Sequence, residues 1–192
     1  DFCCGGDRLL ISALKEQSIN EQEILTKLDE VYNSLLGTGS SEADWNCIAF
    51  SELIDHIVNT HHVYLVKTLP RLSALTAKIL RVHGENHPEL TKVYRLFHNL
   101  NMELEQHLIK EEERVFPLIM EFEKVPSLET LNAAEKVIKE LEDEHEGAGS
   151  ILKELREVTS NYAITDDCCS SYVLTYNLLE DLEGDLFRHI HL

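Results

Sequence analysis

From Trp45 to the end of the chain, apolar residues recur at steps of three and four, the spacing of a single helix face, in four long stretches with no convincing strand between them. The first runs from about Ser51 to Val82 and places Ile54, Val58, His62, Leu65 and Leu69 on one stripe. The second starts near Pro88, a favourable first-turn residue, and extends to about Lys124 with Phe97, Leu100, Leu104, His107, Glu111, Val115 and Leu118 in phase. Pro126 and Ser127 open the third, whose face is Ala134, Ile138, Leu141, His145, Ala148, Leu152 and Leu155. The fourth begins near Cys168 and carries Leu174, Leu178, Leu182, Leu186 and His189. Kinks are expected at Pro70 and Pro117, where a backbone N–H is missing. The connections, Gly84 to His87, the neighbourhood of Val125 and Asn161 to Asp167, are short, which favours antiparallel neighbours. The pattern predicts an all-α fold: an up-down four-helix bundle.

The first 36 residues read as a separate, small helical unit. Leu9, Leu10, Ala13 and Leu14 make one short face, and Ile24, Leu28, Val31 and Leu35 a second, with Asn20 as its N-cap. Residues 37–45, beginning Gly37-Thr38-Gly39-Ser40-Ser41, read as a flexible linker. The predicted organisation is a helical unit over 1–36, a linker over 37–45 and the bundle over 46–192, which is expected to continue past Leu192.

Polar residues on the apolar stripes change this picture. His107 and Glu111 are four apart, so one lies above the other on the same face, and burying an unpaired imidazole and carboxylate is unfavourable. His62 lies about 22 residues before the first turn and His107 about 19 after it; His107 and His145 each lie about 18 from the second; His145 and His189 lie about 18 and 22 from the third. At about 1.5 Å per residue these heights agree within about 6 Å, so four histidines, one per helix, are expected in one layer. Together with Glu111 they form a candidate metal site. Five or more nitrogen and oxygen ligands exceed what one tetrahedral zinc uses, and the absence of thiolate suits iron, with manganese or zinc less favoured. The expected cofactor is therefore a pair of iron ions. A second bridging carboxylate is expected four residues after His189, at a position beyond Leu192.

The other polar candidates have blander readings. His56 and His61 flank the His62 face, and His83, His87, His98 and His191 fall near turns or off the stripes, so surface or boundary placement is expected. In the run Glu111-Glu112-Glu113 only Glu111 has the right phase. Glu144 reads as a solvated face residue, or as one that reaches the site or an ion channel. Cys3 and Cys4, beside Gly5-Gly6, are candidates for redox or iron-transfer chemistry, whereas Cys168-Cys169 reads as a helix start whose thiols could have a lowered pKa.

Composition narrows the function classes. The formal net charge is −18 and the sequence pI about 4.8, a balance that repels nucleic acid and anionic lipid. No stretch approaches the roughly 18 consecutive apolar residues of a membrane span. Five cysteines, four of them in two adjacent pairs, fit neither a disulfide framework nor zinc-site spacing, so reduced thiols and a cytoplasmic location are expected.

The opening Asp1-Phe2-Cys3-Cys4-Gly5-Gly6, the Asp44-Trp45 boundary and Ile54-Asp55-His56-Ile57, followed by His62, His107 to Glu111, Glu144-His145 and His189, resemble the hemerythrin-like di-iron proteins that repair iron–sulfur clusters, the RIC or ScdA/YtfE type. The resemblance covers nearly the whole chain. It implies two irons, oxo- or hydroxo-bridged, held by His62, His107, His145 and His189 with Glu111 as one bridge. It also implies a cytoplasmic protein that restores clusters damaged by nitric oxide or oxidants by supplying iron, with Glu144 placed to help an iron leave, and with the damaged cluster proteins, small ligands such as nitric oxide or dioxygen, and a second copy in a homodimer as its partners. The residues leave open a sensor or carrier of nitric oxide or dioxygen, an enzyme that reduces nitric oxide, and a structural bundle without metal.

Overall fold

The computed structural model describes residues 9–16, 19–37 and 45–192; among them there is no strand. The chain divides into two compact units, Asp1–Ile48 and Ala49–Leu192.

In the first unit, α1 spans Leu10–Glu16 and α2 spans Glu21–Gly37, followed by a short 3-10 turn at Trp45–Cys47. Asn20 caps α2 as the sequence predicts: its side-chain oxygen accepts from the backbone N–H of Gln22 at 3.0 Å and of Glu23 at 3.4 Å. Burial differs from the expectation. Leu28 and Val31 are 49% and 58% exposed, because two short helices enclose little volume and leave much of an apolar stripe facing outward.

The second unit is built from four helical rods. The first comprises α3 (Phe50–Ile57), a π-helical turn at Val58–His62 and α4 (Val63–His83) without interruption. The second comprises α5 (Leu90–Lys110), a π-helical turn at Glu111–Val115 and α6 (Phe116–Lys124). The third is α7 (Leu128–Val158) and the fourth α8 (Ser170–His191). Helix α4 packs on α5 and α8, α5 on α7, and α6 on α3 and α7. This is the predicted up-down bundle, and none of its helices is long and apolar enough to cross a membrane.

Local chemistry explains the ends. At the α4–α5 turn, a side chain on Gly84 would collide with the Leu80 carbonyl oxygen, so glycine permits the tight exit. Ser127 caps α7, its Oγ accepting from the Thr130 N–H at 3.1 Å. Pro70 stands exposed inside α4 and does not break it. Pro117 follows the wide turn at Glu111–Val115 and lies in the first turn of α6. Because proline cannot donate to the carbonyl four residues back, the disruption expected there takes the form of a π turn.

Two faces are shifted from those predicted. On α7, Val137 is buried while Ile138 is 38% exposed; on α8, Tyr172, Thr175 and Tyr176 are buried while Leu174 is 37% exposed. Each rod packs against two neighbours, so the buried strip is wider than one stripe and accepts tyrosines and threonines whose hydroxyls are bonded. Thr175 donates to the Ser171 carbonyl at 2.6 Å and Tyr172 to the Tyr176 hydroxyl at 2.9 Å.

The core has two parts. The larger includes Leu65, Leu72, Phe97, Leu100, Leu104, Leu152, Tyr176 and Leu186; the smaller comprises Ile54, Ile57, Val115, Phe116, Val137 and Leu141. Along every rod a polar group separates them: His62 lies between Ile57 and Leu65, His107 and Glu111 between Leu104 and Val115, His145 between Leu141 and Ala148, and His189 between Leu186 and Leu192.

Candidate metal centre

The polar layer between the two apolar clusters gathers five of the side chains singled out from the sequence. His62, His107, Glu111 and His189 are at most 7% exposed, and His145 is partly buried. Glu111 is the hub. Its Oε2 accepts from His62 Nε2 at 3.0 Å and lies 3.3 Å from His189 Nε2, while Oε1 lies 3.5 Å from His107 Nε2. His107 Nε2 also faces His145 Nε2 at 3.1 Å. All four imidazoles therefore turn Nε2 inward.

Two of the outward nitrogens meet carboxylates. His62 Nδ1 donates to Glu112 at 2.7 Å and His107 Nδ1 to Glu144 at 2.9 Å, and Lys110 donates to the other Glu144 oxygen. Phe116 stacks on the His62 ring at 5.8 Å. An oriented ring with a carboxylate behind it is the usual arrangement of a metal-binding histidine.

Proton affinities follow from these contacts. Burial alone would raise the Glu111 carboxyl, but hydrogen bonds from His107, His189 and His62 overcome it and hold the group ionised far below the usual range. Burial lowers His62 and His107, yet their carboxylate partners outweigh it and raise both above the ordinary imidazole value. His145 has the opposite balance: burial and then the neighbouring His107 push it down to about 4, so it stays neutral and accepts from His107. Glu144 would rise by burial, but Lys110 and His107 keep it lowered.

The donor set fits a cation. Two groups, His62–Glu111–His189 and His107–Glu111–His145, each hold their ligand atoms within 4.8 Å of one another. Bonds of about 2.0–2.2 Å place two ligand atoms on one ion roughly 3.0–3.5 Å apart, which matches the separations around Glu111. Nitrogen and oxygen donors without thiolate suit iron, manganese or zinc.

Two residues near this layer were not expected there. His61, read from sequence as a surface or boundary residue, is 3% exposed, bonds Asp185 Oδ1 through Nδ1 at 3.0 Å and stacks on His189. Glu112, read as out of phase, reaches His62. Both lie in the π turns, where a wider turn shifts the phase that regular helical spacing assumes. Glu144 joins the site through His107 rather than standing as a solvated face residue. Cys3 and Cys4 lie outside the described residues. Cys169, at the α8 N-cap, has its sulfur 3.1 Å from His83 Nε2, and this contact, with the helix-start amides, pulls its thiol down to about 7. His87 bonds Glu89 and Asp167 at the same end of the bundle, and His56 and His98 are half-buried while His191 is exposed.

The site opens toward the surface between α5 and α7. A cleft of about 330 Å³ is lined by Glu103, Gln106, Asp143, Glu144 and Gly147, and Glu103 and Glu144 also line a small inner cavity with His107, His145 and His189.

Comparison with known proteins agrees with this geometry. Residues 53–192 match the family described as the hemerythrin HHE cation binding domain, and residues 1–32 match a domain of unknown function, ScdA_N. The whole chain is 31% identical to a probable iron-sulfur cluster repair protein of Haemophilus influenzae, covering 82% of that relative. It is 27% identical to the iron-sulfur cluster repair protein ScdA of Staphylococcus epidermidis, over 84% of its length, and 29% identical to YtfE of Escherichia coli, also named an iron-sulfur cluster repair protein, over 82%. With its four-helix bundle and its histidines gathered around one buried glutamate, the chain belongs to the hemerythrin HHE cation-binding family, on the branch whose named members are iron–sulfur cluster repair proteins.

Proposed function

We propose that the chain holds two iron ions in its bundle and restores damaged iron–sulfur clusters in the cytoplasm by supplying iron to them. The observation that carries this reading is the sharing of Glu111 by two histidine pairs. His62 and His189 approach one of its oxygens, and His107 approaches the other with His145 beside it. One carboxylate placed between two imidazole pairs would serve two cations at once, and the names of the relatives supply the task. When bound, iron supplies one-electron redox chemistry and coordination positions open to small ligands.

The chain's own residues hold and release the cargo. His62 and His107 must give up their Nε2 protons to bind a cation, and the carboxylates of Glu112 and Glu144 keep their rings oriented as they do so. Glu144 has a second part. It touches His107 on one side and lines the acidic cleft on the other, so an Fe(II) ion leaving the His107–His145 side meets Glu144 and then Glu103 and Asp143. In this reading the helical unit over 1–36 receives the ion through Cys3 and Cys4 or docks the acceptor, and the linker over 37–45 joins it to the bundle over 46–192.

Loading the chain with labelled iron and offering an apo iron–sulfur protein together with inorganic sulfide and a thiol reductant tests the proposal. Label is expected to move to the acceptor and cluster absorbance to appear, and both are expected to slow when Cys3 and Cys4 are replaced by serine. An iron content below about one equivalent after expression with ample iron would sink the metal reading. Equal transfer from the serine variant would remove the cysteines from the route.

A further inference from the structure

Because each imidazole around Glu111 turns Nε2 inward, the group that meets Nδ1 determines how the ring is held. His62 and His107 place Nδ1 on Glu112 and Glu144. His189 differs: its Nδ1 is buried and has no partner. Asp185 stands one turn before it on α8, at the spacing that puts two side chains on one face. This aspartate is 6% exposed. Its Oδ1 accepts from His61 Nδ1 at 3.0 Å, with Arg188 at 3.7 Å, whereas its Oδ2 is buried and unpartnered. The His61 and His189 rings stack with centroids 5.5 Å apart and planes 28° from parallel. Asp185 thus bonds one of two stacked imidazoles and stands one turn before the other.

The two unpartnered atoms, a carboxylate oxygen and a ring nitrogen, are complementary once the tautomer of His189 is considered. A neutral imidazole carries one proton. With Nε2–H donating to Glu111 at 3.3 Å, Nδ1 has a bare lone pair and nothing to give Asp185. With the Nε2 lone pair on a cation, the ring's proton resides on Nδ1, and a buried N–H requires an acceptor. We propose that Asp185 is the positioning residue of His189: Oδ2 receives the Nδ1–H of His189 when Nε2 binds a cation, while Oδ1 keeps His61. One carboxylate then fixes two stacked imidazoles, and His189 acquires the same kind of support that His62 and His107 have. The inference rests on His189 being a ligand in the proposed centre. It assigns a role to Asp185, a residue that the di-iron reading does not use.

Zinc, which is diamagnetic, serves as the probe with the full chain. In the zinc-loaded wild type, ring ¹⁵N–¹H NMR is expected to show His189 protonated at Nδ1 with its proton protected and shifted downfield. Asp185→Asn is expected to remove that signal and to weaken zinc binding about 10- to 100-fold in competition with a chelator, the usual effect of losing a histidine's supporting carboxylate. His61→Phe is expected to retain both the signal and the affinity, and Asp185→Asn is expected to have its full effect in that background too. If Asp185 served only as the ionic partner of His61, its effect would vanish in the His61→Phe background, and the proposal would be overturned. A zinc-loaded wild type without a protected His189 Nδ1–H overturns it as well, with no variant needed, so a poorly folding Asp185→Asn chain does not protect the idea. Zinc that binds normally with no dependence on Asp185 removes this inference and leaves the two-metal reading standing. A wild type that binds no zinc and no iron removes both.

Discussion

At Glu111, burial and hydrogen bonding pull in opposite directions, and the three surrounding imidazoles win. Their protons stand where cations would bind, which makes binding a proton exchange. His62 and His107 hold their protons above the ordinary imidazole value of 6.5. The sign follows: their ionic contacts with Glu111, Glu112 and Glu144 are fully present below pH 6.5 and are lost as pH rises through the raised values, whereas a cation gains as those protons leave. Zinc or Fe(II) affinity is therefore expected to fall on acidification from pH 8, beginning above pH 6.5. His145, already neutral down to about pH 4, contributes little to the slope. Chelator competition at several pH values checks this; a flat affinity between pH 8 and 6 would contradict it. The ring of five was legible in the sequence because His62, His107, Glu111, His145 and His189 each occupy an apolar stripe. His61, Glu112 and Asp185 were not, because nothing in regular spacing distinguishes a surface acid or imidazole from one turned inward by a neighbouring helix.

The wide turns belong to the scale of the element. Val58–His62 and Glu111–Val115 each contain a central ligand candidate, and each brings an adjacent residue, His61 or Glu112, to the same layer. Four-residue steps in a sequence imply an ordinary α-helix, so the turns left no signal apart from Pro117. The number and direction of the rods were plain, since their caps and short connections are local features. Another local feature carries its own prediction. Between α7 and α8, Ser160, Asn161 and Tyr162 all adopt positive φ, at 52°, 60° and 55°, a left-handed run that is unfavourable for residues with a side chain. Tyr162 is tied down by its buried ring and by the Thr159 hydroxyl at 3.0 Å, and asparagine tolerates this region. Ser160 is exposed and has neither compensation. Ser160→Gly is expected to stabilise the bundle by about 0.5–1 kcal/mol, the relief of strain exceeding the added freedom of the unfolded chain. Urea unfolding with an unchanged slope measures it, and a destabilised variant would show that the turn stores no such strain.

For the whole molecule, the distribution of charge decides how a cation arrives. The chain carries a formal net charge of −18, and Glu103, Asp143 and Glu144 line the cleft above His107 and His145. A cleft of one sign between low-dielectric walls concentrates counter-ions and raises association rates by about 10- to 1,000-fold, an effect that salt screens. Uptake of Zn(II) or Fe(II) is therefore expected to slow as ionic strength rises from low salt to about 0.15 M, where charges more than roughly 8 Å apart are largely screened. Replacing Glu103 and Asp143 together by glutamine and asparagine removes two charges of the cleft and none of the inner nitrogens. That variant is expected to take up the same number of equivalents several-fold more slowly and with a shallower salt dependence. Stopped-flow uptake against a metal-sensitive dye separates the rate from the final stoichiometry. If the double variant loads at the wild-type rate at every salt concentration, cations enter elsewhere and the release route through Glu144 falls with it. If it loads fewer equivalents, Glu103 or Asp143 is itself a ligand, and the centre is larger than the layer around Glu111.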